Sequence, residues 1–139
     1  MLKAVLVDLE EKRIRNIQWS GDYERDELED LIRLQDRDTE FQRLAIGGVE
    51  VTVFYACGAI DGGLCGWRMK GEKWPIFFSS AICLPIEDAA APFSNIFNTD
   101  CPLTAWDVGS AIEWFEANED FSVIVGLEID QNSIENRGM

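Results

Sequence analysis

Gly47-Gly48 stands between two runs, residues 41–46 and 49–56, whose composition suits extended backbone. Adjacent glycines reach positive φ without steric cost, and a two-residue connection of that kind matches the twist of paired strands. The spacing predicts a tight antiparallel hairpin with a primed turn. Val49, Val51 and Val53 alternate with Glu50 and Thr52, the pattern of a strand with one buried face.

The flanking sequence extends this reading. Residues 2–8 and 13–19 form a first hairpin around Leu9-Glu10-Glu11-Lys12, with a bulge expected near Asn16. Asp22 caps a helix over 23–35, with Glu24, Asp26 and Glu27 in its positive first turn and Leu28, Leu31, Ile32 and Leu34 along one stripe. A short strand at 64–70 follows the glycine-rich stretch from Gly58 to Gly66, and 74–84 is expected as a central strand with Pro75 at its start. Residues 85–103 hold Pro85, Pro92 and Pro102 and are expected as an irregular loop. Thr104 with Asp107 three positions on resembles a capping box and opens a second helix running to 117. Residues 121–129 make a final strand buried on both faces, and 131–139 a frayed tail. The result is one α+β domain over residues 1–139, a mainly antiparallel sheet with two helices in the order β-β-α-β-β-β-β-α-β.

Composition narrows the chemistry. At 139 residues and 47% apolar, the chain can bury a core without disulfide or metal staples. No apolar run of about 18 residues exists to span a membrane, and the opening Met-Leu-Lys-Ala-Val-Leu-Val-Asp reads as a strand instead of a signal peptide. With no histidine, a serine or cysteine nucleophile has no imidazole to activate it, and a zinc finger lacks its usual ligands. Neither a metal nor a cofactor is expected, and the chain reads as a non-enzyme of the cytoplasm. Cys57, Cys65, Cys83 and Cys101 read as reduced, mostly core thiols, with a Cys57–Cys65 bridge across the glycine-rich turn as the alternative.

Charge is the strongest global feature. Against 12 basic residues stand 26 acidic ones, a net of −14, so nucleic acid and anionic membranes are expected to be repelled. From Trp74 to Asn136 there is no Lys or Arg, while Glu87, Asp88, Asp100, Asp107, Glu113, Glu116, Glu119, Asp120, Glu128, Asp130 and Glu135 all fall in that stretch. Such a field steers basic partners; its plainer consequence is solubility.

Two constellations carry the functional expectations. On a helix wheel over 104–117, Ala105, Val108, Ala111, Ile112 and Phe115 form one apolar face. Trp106 and Trp114 fall on the other side, about 80° apart, with Asp107, Ser110 and Glu113. That face reads as a partner-binding surface of indole anchors among carboxylates, or as a second buried side covered by the preceding loop. The second set is Trp67, Arg68, Lys70 and Trp74 beside the Gly58–Gly66 loop, a site for a small anion or nucleotide. The loop lacks the Gly-Lys-Ser/Thr ending of a phosphate loop, and the aromatic residues also fit sheet packing.

Leu2-Lys3-Ala4-Val5-Leu6-Val7-Asp8, followed by Ile17-Gln18-Trp19-Ser20-Gly21-Asp22-Tyr23 and a helix, resembles an uncharacterised family of short phage- and prophage-encoded proteins. The likeness covers roughly the first 35 residues and implies a genomic setting. It points to an acidic interaction protein that binds, and inhibits or redirects, a host or anti-phage defence protein with a basic surface. A small-ligand-sequestering domain and a DNA-mimic inhibitor are the alternatives, and a homodimer is left open.

Overall fold

In the computed structural model, the residues described are 2–9, 11–19, 30–32, 38–56, 65–72, 75–77, 79–86, 100–116 and 128–135. They form an α+β fold. The strands are β1 (Leu2–Asp8), β2 (Arg13–Trp19), β3 (Thr39–Ile46), β4 (Val49–Ala56), β5 (Cys65–Met69), β6 (Ala81–Leu84), β7 (Ile112–Glu116) and β8 (Glu128–Glu135). A first helix, α1, is described at residues 30–32, and α2 spans Ala105–Ala111. No helix among the described residues is long and apolar enough to cross a membrane.

Six strands form one sheet in the order β3-β4-β6-β1-β2-β8, and β5 pairs with β7 in a separate ribbon. All pairings are antiparallel except β2 with β8. The glycine turn behaves as its composition requires: Gly47 has φ +60° and Gly48 φ +84°, the primed geometry, and Ile46 faces Val49. The other hairpin turns through Lys12 at φ 53°, where the buried Asp8 carboxylate accepts the Glu11 amide and pairs with Arg15 at 3.3 Å.

Alternation along each strand sorts apolar side chains onto two faces. On one side Val5, Val7, Ile14, Val51, Val53 and Cys83 meet α2 through Ala105 and Val108, and the ribbon through Trp67 and Trp114. On the other, Ala4, Leu6, Ile17, Trp19, Phe54, Ile82 and Leu84 meet Leu31 and Ile32 of α1. The sheet is therefore sandwiched, with α1 on one face and α2 beside the β5–β7 ribbon on the other. Burial on both faces explains the irregular-looking pattern of Ile14, Ile17 and Trp19. They alternate cleanly, and β2 pairs with β1 without interruption; the irregularity lies against β8, where the register jumps between Arg15 and Asn16.

Three sequence expectations are corrected. The described residues of the apolar run 74–84 divide between layers: Ala81–Leu84 joins the sheet, while Phe77 bridges Trp67 in the ribbon through reciprocal backbone hydrogen bonds of 2.9 Å. Between them Ser79 and Ser80 are buried, their hydroxyls accepting from the Ala56 and Leu9 amides. The second helix stops at Ala111, and an additional strand, β7, follows at once. Residues 131–135, expected as tail, belong to β8. Trp67 faces Trp114 across the ribbon; Trp74 lies outside the described residues, with 21–29, 57–64, 87–99 and 117–127.

Candidate docking groove

Helix α2 is short, and its neighbours hold it. Thr104 caps it: its hydroxyl accepts from the Asp107 amide at 3.3 Å, and Asp107 Oδ2 accepts from the Thr104 amide at 2.9 Å, a complete capping box. The Ala105 amide donates to Asn16 Oδ1 at 2.8 Å, tying the helix start to β2. At the other end the Lys70 amide donates to the Ala111 carbonyl at 3.0 Å, tying the helix end to β5. Ala105, Val108 and Gly109 face the core, so Trp106, Asp107 and Ser110 face outward.

Trp106 is 53% exposed. It lines an open groove of about 480 Å³ between α2, the β3–β4 turn and the segment before the helix, together with Val49, Pro102, Leu103, Asp107 and Ser110. Val49, at 38%, is the other large hydrophobic residue exposed among the described residues, and it lines the same groove. A second groove of about 500 Å³ adjoins the first across Gly47 and Ala111, and is lined by Leu44, Ala45, Met69, Lys70, Glu72 and Pro75.

Of the five residues expected on one helical face, three stand together: Trp106, Asp107 and Ser110. Trp114 is corrected. It sits on β7, is 2% exposed, and packs in the core between sheet and ribbon. Glu113 also lies on β7, where its carboxylate takes the Arg68 Nε–H at 2.7 Å across the ribbon, so its charge is balanced. A helical period carried past Ala111 placed both on the outer face. The alternation of Ile112, Glu113 and Trp114 was the signal for a strand. Val49 was missed because nothing local joins a hairpin end to a helix more than 50 positions later, and Pro102 because it falls in the stretch read as an irregular loop.

Of the alternative anion-site residues, the three that are described do not converge on one site. Trp67 is fully buried, stacked on Phe77 with ring centroids 4.3 Å apart, and its Nε1–H donates to the Ser79 carbonyl at 3.2 Å. Arg68 is engaged by Glu113, Lys70 lines the second groove, and Trp74 is outside the described residues. A buried indole in a filled core offers no platform for a ligand.

Cys83 and Cys101 are free and buried. Burial pushes the Cys83 thiol well above its ordinary value, and the neighbouring Cys101 adds to the rise. Burial likewise pushes Cys101 from 9.0 up to about 11, opposed by a hydrogen bond to the Leu103 backbone and reinforced by Asp107 and Asp100. Both thiols should therefore resist a maleimide in the folded protein at about pH 8 and react after denaturation, which mass mapping reads directly. The folded chain holds protons that the unfolded chain releases near the ordinary value. The stability that the protonated Cys101 lends is thus complete below that value and is lost as pH rises through about 11, and the contribution of Cys83 is lost in the same direction.

Compared with known protein families, with curated proteins and with solved structures, the chain matches none.

Proposed function

We propose that this chain is a non-catalytic protein-binding domain whose contact surface is the groove around Trp106. One observation carries this reading: the two exposed large hydrophobic side chains among the described residues, Trp106 and Val49, line one groove. Isolated exposed apolar residues are ordinary, but an exposed tryptophan beside a second apolar side chain in a concave, anchored setting has the form of an interface hot spot. The surroundings are pre-organised: the capping box fixes Asp107, and core packing fixes α2. With a net charge of −14, the preferred partner is a basic protein surface. The resemblance of the first strands makes a host or anti-phage defence protein the first class of target to test, in the cytoplasm of the host cell.

The test is capture from bacterial lysate by the full chain, at low and high salt, beside Trp106→Ala. A specific partner should lose affinity by roughly tenfold or more in the variant, the loss expected for a hot-spot indole, while the unfolding curve stays unchanged. Its binding should also weaken as salt rises. Equal capture by both proteins would remove Trp106 from the interface and this reading with it.

A further inference from the structure

Among the described residues, the strand at one end of the sheet order is paired on one side alone. β3 is an edge strand, paired only with β4 among the described residues. The two-residue turn sets its polarity. Ile46 and Val49 close the hairpin as a hydrogen-bonded pair, so Leu44 with Val51 and Gln42 with Val53 are bonded pairs as well. The intervening residues Arg43 and Ala45 turn their N–H and C=O groups away from β4. Both are exposed, and no hydrogen bond reaches those outward groups among the described residues.

This edge borders the second groove. Leu44 and Ala45 form one wall, and Met69, Lys70, Glu72 and Pro75 the other. Gly47 and Ala111 line both this groove and that of Trp106, and a Cβ placed on Gly47 would sit 3.9 Å from that of Ala111. A glycine and an alanine leave a low saddle over which a backbone can pass.

We infer that the partner engages this protein as an extended basic segment, which adds a strand to the outer edge of β3 at Arg43–Ala45 and crosses Gly47 to place an apolar side chain against Trp106. The inference rests on the protein-binding reading above and names its mode. Main-chain hydrogen bonds to an edge supply affinity, and pockets that receive alternate side chains supply specificity. The second groove lies where every other side chain of an added strand would point. Charge selects the occupant: a second copy of the chain would bring a further −14 against the first, whereas a basic segment lowers the net charge and meets Glu72 in the second groove and Asp107 beside Trp106, with Arg43 and Lys70 as the local cations its own charges must avoid.

The experiment selects linear dodecapeptides from a random displayed library on the immobilised full chain. It then follows amide hydrogen exchange of the full chain by NMR as the winning synthetic peptide is added. Strand addition slows exchange at Arg43 and Ala45 by about tenfold or more and leaves Gln42 and Leu44, already bonded to β4, as they were. Ala45→Pro removes one outward donor at an edge position and should weaken the peptide about tenfold; if that variant fails to fold, the exchange pattern of the native chain decides. A bound peptide that leaves Arg43 and Ala45 unprotected overturns strand addition, and the groove reading survives if Trp106→Ala still abolishes binding. Protection with Trp106→Ala silent upholds strand addition and removes the groove reading. Protection on concentrating the free chain assigns the edge to a second copy and overturns the peptide. A library that yields no ligand for the native chain overturns the inference too.

Discussion

Trp114→Ala should lose about 3–5 kcal/mol of unfolding free energy in a urea titration, while Trp106→Ala should lose well under about 1 kcal/mol. The two indoles are eight positions apart and lie in opposite environments: Trp114 is 2% exposed, Trp106 53%. Removing the first leaves a cavity between sheet and ribbon, opposite Trp67. Removing the second leaves water where water already was. Trp114→Phe is the finer test. Among the described residues the buried Trp114 Nε1–H has no hydrogen-bond partner, a condition that costs about 1–3 kcal/mol. Phenylalanine removes that orphaned donor while keeping most of the ring, so its loss should fall well short of the alanine variant's. Equal losses for Trp106→Ala and Trp114→Ala would contradict the placement of β7.

Gly109 should be the least replaceable residue of α2. A Cβ there would come within 2.5 Å of Ile129 Cδ1, 2.6 Å of Ile129 Cγ1 and 3.4 Å of Ile14 Cδ1, because the helix crosses the β2–β8 edge at this point. In an exposed helix, alanine would be favoured over glycine by about 1 kcal/mol. Here the overpacking penalty, about 1–3 kcal/mol, opposes that gain, so Gly109→Ala should be destabilising in spite of its helix propensity. Gly109→Val, bulkier and β-branched, should lose about 3 kcal/mol. The mechanism predicts a reversal: in an Ile129→Ala background the Gly109→Ala change should become neutral or stabilising. If both backgrounds respond alike, contact with β8 is not what excludes a side chain.

The candidate site was legible only in part, and the division has a physical cause. Trp106, Asp107 and Ser110 were readable because a capping box is a local signal and four residues after it complete a turn. Trp114 and Glu113 were misplaced because helix α2 ends without a glycine or proline to announce it. What ends it is the ribbon: β5 offers Ile112–Glu116 a full antiparallel partner, and Arg68 offers Glu113 a counter-charge. Val49 joins Trp106 only because the β3–β4 turn packs beside α2.

By itself the sequence determined what short-range chemistry controls. These features are the primed turn at Gly47-Gly48, the first hairpin, the cap at Thr104, the α+β class and the acidic balance. Each depends on φ preferences, side-chain alternation or charge count within a few residues. The tertiary structure alone decided which long-range partners won. It split the 74–84 run between two layers, turned 112–116 from helix into strand, drew 128–135 to the edge of β2, and left β3, among the described residues, paired on one side alone. Those choices compare pairing and burial across tens of residues, and no local pattern records that comparison.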